Sequence, residues 1–267
     1  MDVYFSVAMS FRDMIQKFPT PAGMVPIPAG SFRMGSDSDN DDEKPVHEVT
    51  LTYSFWMGTT PVTQEQFQAL MGVNPSRFEG AKLPVEQVSW RDARIYCERL
   101  TKQQSMTGSL PAGYEYRLPT EAEWEFVARH PGAGTRTQRY EWGDALPPPA
   151  GIGNLAGIEA KDEMPRVLDG WQDDYQVVAP PAKFRANAFG IFDMTGNLSE
   201  WVHDAYVSFE VAAAATDPLG PSAGGPRRVI KGSNWRTVAF ADLRAAWREG
   251  ADQASQDIGF RVARYAE

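Results

Sequence analysis

The sequence predicts an α+β fold with little regular secondary structure. Three observations carry this prediction. Short apolar–polar alternations bounded by Pro and Gly indicate strands. Hydroxyl residues placed three positions before Gln, Asp or Glu indicate helix starts. Few windows of residues 131–230 sustain any period.

The first strands follow from apolar residues that recur every second position. MVPIPAGSFRMGS, residues 24–36, mixes apolar and small residues around Pro and Gly, which is typical of short strands joined by turns. HEVTLTYSFWMG, residues 47–58, alternates strictly and places on one side Val49, Leu51, Tyr53 and Phe55. DIGFRVARYAE at the end predicts a closing strand whose inward residues are Ile258, Phe260 and Val262.

Three helices are predicted from their capping residues. In each, a hydroxyl can accept the free N–H groups of the first turn, and a Gln, Asp or Glu three residues later can return a bond. The pairs are Thr63 with Gln66, Ser89 with Asp92, and Thr120 with Glu123.

The stretch from about residue 131 to 230 is predicted to be rich in loops. It contains segments such as PGAGTRTQRYEWGDALPPPAGIGN, in which Gly and Pro dominate. Long coil inside a compact domain is generally functional, or it is held by something other than hydrogen-bonded ladders. Bound metal ions are one candidate for that role.

Composition excludes several classes of protein. The chain has 267 residues, with 35 acidic against 26 basic side chains and a net charge of −9, which argues against nucleic acid or anionic lipid as a partner and suits hard cations. A single cysteine, Cys97, excludes an internal disulfide and a Cys-based zinc site. The opening MDVYFSVAMSFRDMIQKF does not read as a secretion signal, and no segment is long and apolar enough to insert in a membrane. We therefore expect a cytoplasmic protein by default, although the compartment stays open.

Several segments together resemble the formylglycine-generating enzyme family, which includes the sulfatase-modifying factors and is distantly related to C-type lectins. They occur in the family's order from residue 24 to about 264, and include EKPVHEVTL, TPVTQEQFQAL, YRLPTEAEWEFVAR, NAFGIFDMTGNLSEWVHD, RRVIKGSNW and IGFRVAR. The resemblance implies one such domain over residues 24–267, preceded by an N-terminal extension over residues 1–23. Fold does not fix function, because the family includes oxidases, maturation factors and ligand binders.

The resemblance implies two calcium sites in the loop-rich half. The first would use the side chains of Asp193 and Glu200 with the carbonyls of Gly196 and Leu198, and the second those of Asn154 and Asp173 with the carbonyls of Leu155 and Tyr175. Every donor is an oxygen, as Ca²⁺ prefers. The alternative is that Asn154, Asp173 and Asp193 only cap turns.

A third acidic segment, DSDNDDE at residues 37–43, is spaced like a calcium loop but fails as one. Asp42 stands where the sharp turn needs Gly, and Pro45 follows. We expect a solvated acidic loop here.

The copper site of the family's oxidising members cannot form in this chain. Those members carry two cysteines between the Gly-Ser-aromatic turn and the Arg-rich strand, and here that stretch is RTVAFA, residues 236–241. Cu(I) is selected by soft sulfur ligands, so we expect no copper. Cys97 lies on the same predicted helix face as Ala93 and Leu100, where a buried thiol is structural. The dipeptide His203-Asp204 suggests a surface or capping role rather than an acid–base pair.

The same C-terminal stretch is the candidate ligand-binding groove. It concentrates residue types that dominate recognition surfaces: Trp235, Arg236, Thr237, Phe240, Asp242 and Arg244. The alternative is that Trp235 and Trp247 fill the core while Arg244 and Arg248 pair with acids such as Glu249 or Asp257.

Two functions of different class remain. The first is a calcium-stabilised module that binds a protein, peptide or small molecule, like the variable proteins of retroelements or a regulatory partner. The second is an oxidoreductase or maturation enzyme of the siderophore-chromophore type that acts without the copper cysteines. Catalytic residues cannot be named for it, so whether the protein is an enzyme stays open.

Overall fold

The computed structural model describes residues 20–129, 138–208, 214–220 and 225–266. The described residues contain three α-helices, α1 (Gln64–Met71), α2 (Trp90–Met106) and α3 (Glu121–Arg129). Each begins after the predicted cap. Thr63 and Ser89 form complete capping boxes, and Thr120 accepts from the backbone N–H of Glu123 at 3.1 Å while its own N–H donates to the Glu123 carboxylate at 2.8 Å. The helix predictions are therefore confirmed.

The first sheet has four antiparallel strands. Its order is β1 (Met24–Ile27), β4 (Phe55–Gly58), β11 (Ala263–Ala266) and β5 (Tyr114–Arg117). The first and last parts of the domain are therefore hydrogen-bonded to each other. Helix α2 packs against this sheet beside β5, and its buried residues include Tyr96 and Cys97.

Two further sheets complete the fold. One has the order β10 (Ile258–Gly259), β6 (Ser199–Ala205), β8 (Arg228–Lys231) and β9 (Arg248–Ala251), and the other the order β2 (Gly30–Met34), β3 (His47–Leu51) and β7 (Ala215–Thr216). The remaining ordered turns are 3-10 helices at Asp41–Glu43, Ile158–Asp162 and Phe240–Leu243. Helices and separate sheets together give the predicted α+β class.

Two sequence predictions about strands need correction. The closing segment is not one strand: Ile258 pairs with β6, whereas Ala263–Ala266 pairs with β4 and β5, so the chain changes sheets at Phe260–Val262. The segment 47–58 likewise breaks between Leu51 and Phe55. In both segments most of the alternating apolar residues are buried, whereas Tyr53 and Val262 are half-buried. Burial and not strand continuity produces such a pattern.

Helix α3 is almost wholly enclosed. Trp124, Phe126 and Val127 belong to the largest apolar cluster, and the same helix buries three acids, Glu121, Glu123 and Glu125. The described part of residues 131–230 contains only short strands and one 3-10 helix, as the sequence predicts. No helix among the described residues is long and apolar enough to cross a membrane.

Candidate functional site

Trp235, at the centre of the predicted groove, is a packing residue. Its side chain is 1% exposed and contacts Val178, Leu198 and Phe78, whose ring meets the indole edge-on at a centroid distance of 5.6 Å. The indole N–H donates to the carbonyl of Gln256 at 3.2 Å. Trp235 therefore anchors the segment and leaves any recognition to its neighbours.

Arg236 and Thr237 form a turn that reaches solvent. The side chain of Arg236 is 40% exposed and lies 3.6 Å from the Asp257 carboxylate. Asn234 shapes the turn, because its side chain accepts from the Arg236 N–H at 2.9 Å and its own N–H donates to the Thr237 hydroxyl at 3.0 Å. A half-exposed guanidinium on a fixed backbone can bind an anionic or hydrogen-bonding group.

Phe240 and Asp242 lie on the short 3-10 helix Phe240–Leu243 and are both half-buried. Phe240 packs against a satellite apolar cluster formed by Tyr140, Ile152, Leu155, Leu168, Trp171 and Leu243. Burial raises the pKa of Asp242 above its usual value, and the nearby Arg244 partly offsets this. Among these predicted groove residues, Trp235 is therefore buried, whereas Arg236, Thr237, Phe240 and Asp242 are partly exposed.

Arg244 is buried and already has partners. It is 3% exposed, pairs with Glu43, and lies 3.2 Å from Asp39. It also lines a cleft of 370 Å³, which Arg33, Arg129 and Arg139 line as well. The sequence analysis named Glu249 and Asp257 as possible partners of Arg244 and Arg248. The structure instead pairs Arg244 with Glu43 and Arg248 with Glu121.

This contact also corrects the prediction that segment 37–43 is a solvated acidic loop. Glu43 is fully buried, and Asp39 accepts from Arg139 at 2.6 Å. Asp42 accepts from the Tyr206 hydroxyl at 2.6 Å. The segment is a partly buried partner for arginines, and not a simply solvated loop, because the chain fold places it beside residues about two hundred positions later.

The first predicted calcium set contains one incompletely satisfied carboxylate. Asp193 is 2% exposed, its Oδ2 accepts from the Ala182 N–H at 2.9 Å, and its Oδ1 is buried with no hydrogen-bond partner. Burial raises the pKa of Asp193 to about 6. Glu200 is different, since Arg261 donates to its two oxygens at 2.6 and 2.7 Å and Trp124 donates at 2.9 Å. The hydrogen-bond acceptor without a partner in this set is therefore Oδ1 of Asp193.

Glu141 is a further acid at this place that the sequence reasoning missed. Both of its carboxylate oxygens are buried without a hydrogen-bond partner, and burial raises its pKa to about 8, with Asp193 and Glu200 also raising it. The Thr195 hydroxyl lies close enough to lower that pKa without a well-formed hydrogen bond. The one available signal was a glutamate between two aromatic residues in YEWGD, whose rings stack at 4.6 Å.

The second predicted set is brought together as expected. Asp173 accepts from the N–H groups of Leu155 at 2.8 Å and Tyr175 at 3.0 Å, so the two segments meet directly. The Asn154 side chain is fixed by a 2.7 Å bond to the Val177 carbonyl, which leaves its Oδ1 buried and without a partner. Glu159 adds another such oxygen, Oε2, beside the same loop.

The two sets adjoin one another through a close backbone contact. The Asn197 N–H donates to the Asn154 carbonyl at 2.8 Å. Gly196 has φ +80°, and a Cβ there would lie 2.4 Å from the Asn154 carbonyl oxygen, so only glycine fits. The loops around residues 154 and 196 therefore form one unit.

Buried oxygens without donors are the kind of ligand that a hard cation accepts. A buried acceptor without a donor costs free energy, and four residues here carry one or more: Glu141, Asn154, Glu159 and Asp193. Among the described residues no three His, Cys, Asp or Glu side chains group as a metal site. A cation must therefore draw on amide and backbone carbonyl oxygens as well, which Ca²⁺ accepts and softer metals do not favour.

The chain's cysteine takes no part in this site. Cys97 is 1% exposed in helix α2, within the apolar cluster that contains Ala93, and burial raises the pKa of its thiol far above the usual value. A thiol held in the neutral form is a poor nucleophile and metal ligand. This is the structural role that the sequence predicts.

Known proteins with the same organisation support the resemblance. Residues 11–266 match the Sulfatase-modifying factor enzyme 1-like domain. The serine/threonine-protein kinase pkn1 of Chlamydia pneumoniae is 31% identical over 92% of this chain, which spans only 38% of that kinase. The formylglycine-generating enzyme of Streptomyces coelicolor is 29% identical over 92% of this chain and 90% of its own length.

A solved structure shows the same fold. Treponema denticola variable protein 1 superposes with a TM-score of 0.71 at 24% identity, covering 90% of this chain and 94% of its own. The ordered sequence segments, the sheets and helices and the match over nearly the whole chain agree. The chain belongs to the formylglycine-generating enzyme, or sulfatase-modifying factor, family.

Proposed function

We propose that this chain is a calcium-stabilised binding module built on the family fold, and not a copper-dependent oxidase. The observation that carries the proposal is the sequence of residues 236–241, RTVAFA, which has no sulfur where the oxidising members of the family hold two cysteines. The remaining thiol, Cys97, is enclosed in helix α2. Without thiolates, a soft redox metal has no matching donors at this position.

The unpartnered oxygens support the calcium part of the proposal. Asp193, with Glu141 beside it, would hold one ion together with the carbonyls of Gly196 and Leu198. Asn154, whose Oδ1 has no partner, would hold a second ion with the carbonyls of Leu155 and Tyr175 and with Asp173, which already accepts from Leu155, Trp171 and Tyr175. The ions would supply positive charge that fixes the loops beneath the 236–242 surface, because the Thr237 carbonyl accepts from the Ala156 N–H at 3.2 Å.

The exposed face of the module would bind its ligand through Arg236, Thr237 and Asp242. Arg236 is the best probe of that role because its side chain is 40% exposed and pairs only across 3.6 Å with Asp257. Phe240 supports the same surface from below through its apolar cluster. The ligand class is a peptide, protein or small molecule.

Panning a random-peptide library against the purified chain tests this surface. For peptides recovered on the wild type, Arg236→Ala should weaken binding by more than about 1 kcal/mol, as expected for an interface anchor, and leave the melting temperature unchanged. Arg94→Ala, which removes another exposed arginine, is the matched control and should change neither quantity. Phe240→Ala should lower both.

Two results would contradict the proposal. Peptides that bind Arg236→Ala and wild type equally would place recognition elsewhere. Stoichiometric copper in the purified protein, or consumption of oxygen with a thiol substrate, would make the chain an oxidase.

A further inference from the structure

A second cleft, remote in sequence from residues 233–248, lies between the first sheet and helices α1 and α2. Its volume is 520 Å³, within the range of small-molecule sites. Apolar side chains line it from both helices and from the sheet: Met24, Val62, Leu70, Tyr96, Leu100 and Val262. Amides at the ends of Gln66, Gln103 and Gln104 complete the wall. An occupant of this cleft could therefore pack an apolar part against these side chains and also reach polar groups.

The cleft also contains one charged residue, Arg264 on β11. Its side chain is 2% exposed, and its guanidinium carbon lies 4.2 Å from the Trp56 ring and 5.1 Å from the Tyr114 ring. Trp56 is its partner across the β11–β4 ladder. Stacking on two aromatic faces fixes the plane of the guanidinium and leaves its N–H groups to point along that plane.

Two nitrogens of the Arg264 guanidinium have no hydrogen-bond partner. Its Nε and Nη2 are buried with no hydrogen-bond partner, and the adjacent Trp56 indole N–H is in the same condition. No Asp or Glu occurs among the residues described as lining the cleft. The cleft therefore borders a buried guanidinium that has two unpaired N–H donors and, among the described lining residues, no carboxylate.

Other buried cations of this chain are treated differently. Lys231 lies 2.9 Å from Glu125, and Arg261 donates to both oxygens of Glu200. Burying a charge without a counter-charge is costly, and the aromatic rings offset only part of that cost. Among the described residues, Arg264 therefore differs from Lys231 and Arg261 in having no acidic partner.

We propose that this cleft binds a small amphipathic carboxylate, such as a medium-chain fatty acid. The carboxylate would accept in bidentate fashion from Nε and Nη2 of Arg264, since the planar fork of a guanidinium matches a carboxylate. The alkyl chain would lie along Leu70, Tyr96 and Leu100. A monocarboxylate is favoured over phosphate because a single guanidinium in an apolar cavity neutralises one charge and not two.

Calorimetric titration of the full chain with octanoate, octan-1-ol and octylamine tests the proposal. The three probes share one alkyl chain and differ in head-group charge. Octanoate should bind at least about tenfold more tightly than octan-1-ol, the ratio expected for a charged hydrogen-bonded pair, and octylamine should not bind measurably. Inorganic phosphate should not compete with octanoate.

Two substitutions and a control locate the site. Arg264→Gln should lower octanoate affinity by at least about tenfold and leave the weak binding of octan-1-ol unchanged. Arg228→Gln is the matched control, because Arg228 also stacks on a tryptophan, at 4.2 Å from Trp90, but does not line the cleft; it should bind octanoate like wild type. Ala69→Trp adds a bulky side chain to an exposed lining position and should abolish binding without removing core atoms, so the test survives if Arg264→Gln fails to fold.

The proposal is overturned if octanoate does not bind, if octan-1-ol binds as tightly, or if Ala69→Trp binds octanoate normally. Competition by phosphate at equal concentration would reassign the cleft to a different anion and also overturn it. These outcomes are independent of calcium and of Arg236.

Discussion

The helix α3 region and the loops of residues 141–200 treat their buried acids in opposite ways. Every acid of the helix has a cation: Glu121 accepts two bonds from Arg248 at 2.7 and 2.8 Å, Glu123 two from Arg117 at 2.6 and 2.7 Å, and Glu125 one from Lys231 at 2.9 Å and one from Arg129 at 2.7 Å. In the loops, oxygens of Glu141, Asn154, Glu159 and Asp193 are buried without any donor. Both regions belong to one domain, so the contrast is not an effect of size or exposure.

The difference is whether groups of the protein itself satisfy the buried oxygens. Around α3, long-range ion pairs satisfy the acids and join the helix to two of the sheets, through Arg117 on β5 and through Lys231 and Arg248 on β8 and β9. In the loops, the cation near Glu141 and Asp193 is Arg261, which pairs with Glu200 and leaves oxygens of those two acids without a donor; under our proposal a bound cation supplies the additional charge. Glu200 marks the boundary, because Arg261 neutralises it although it stands in the predicted calcium set.

The largest expected effect is on the ion-paired side. Lys231→Met removes a buried cation that lies 2.9 Å from Glu125 and 3.7 Å from Glu121. Glu125 keeps Arg129 at 2.7 Å and Glu121 keeps Arg248 at 2.7 Å, so the unfolding free energy, measured by urea denaturation, should fall by about 3 kcal/mol, the lower end of the cost of breaking a buried pair.

Arg94→Ala is the control for that prediction. It breaks an exposed pair with Glu98 on helix α2, whose side chains are 51% and 60% exposed, and should cost less than about 0.5 kcal/mol. Similar losses in the two variants would mean that the buried pairs do not hold the domain together.

The next prediction concerns the stabilisation of the loops by calcium. Calcium at a hundred times its dissociation constant should stabilise the wild type by about 2–3 kcal/mol for each ion bound. Asp193→Asn should remove the contribution of the first ion and gain stability relative to wild type in chelator, because it no longer buries an unpaired charge. Asp169→Asn, an exposed acid of the same loop-rich half, should respond to calcium like wild type.

A smaller effect concerns Asp204, an acid near α3 that has backbone donors but no cation. Its carboxylate accepts from the first N–H of α3, at Glu121, and from the Gly220 N–H, which is the capping role expected from the sequence. Burial raises the pKa of Asp204 from 3.8 to about 7, and the neighbouring Glu121 raises it too. The folded state therefore holds a proton that the unfolded state releases, and stability from this group is present at low pH and lost as the pH rises from about 4 to 7.

Urea denaturation at pH 5 and pH 8 measures this loss. Between these values wild type should lose about 2 kcal/mol more than Asp204→Asn, which cannot ionise. A variant that follows the wild-type pH dependence would show that Asp204 is ionised throughout.

The sequence was informative wherever local chemistry decides structure. The caps at Thr63, Ser89 and Thr120 predicted all three helices, since a cap and its partner are only three residues apart. The meeting of Asn154–Leu155 with Asp173–Tyr175 also followed from the family resemblance. Long-range ion pairs could not be predicted in this way. Arg244 pairs with Glu43, which is distant in the sequence, and only the folded topology determines which acid lies beside it.

Glu141 and Arg264 escaped prediction for a related reason. Their side chains are ordinary by type and spacing, and what distinguishes them is the absence of a partner after folding. A sequence pattern reports which groups are present, but an unsatisfied group is a property of the packed structure. The calcium ligands and the groove residues stay predictions until a ligand is measured.

Isothermal titration of the chelator-stripped chain with calcium tests the central claim most directly. We predict two Ca²⁺ ions bound per chain, falling to one in Asp193→Asn. No heat of binding and no bound calcium at millimolar concentration would contradict the claim that the loop oxygens form cation sites.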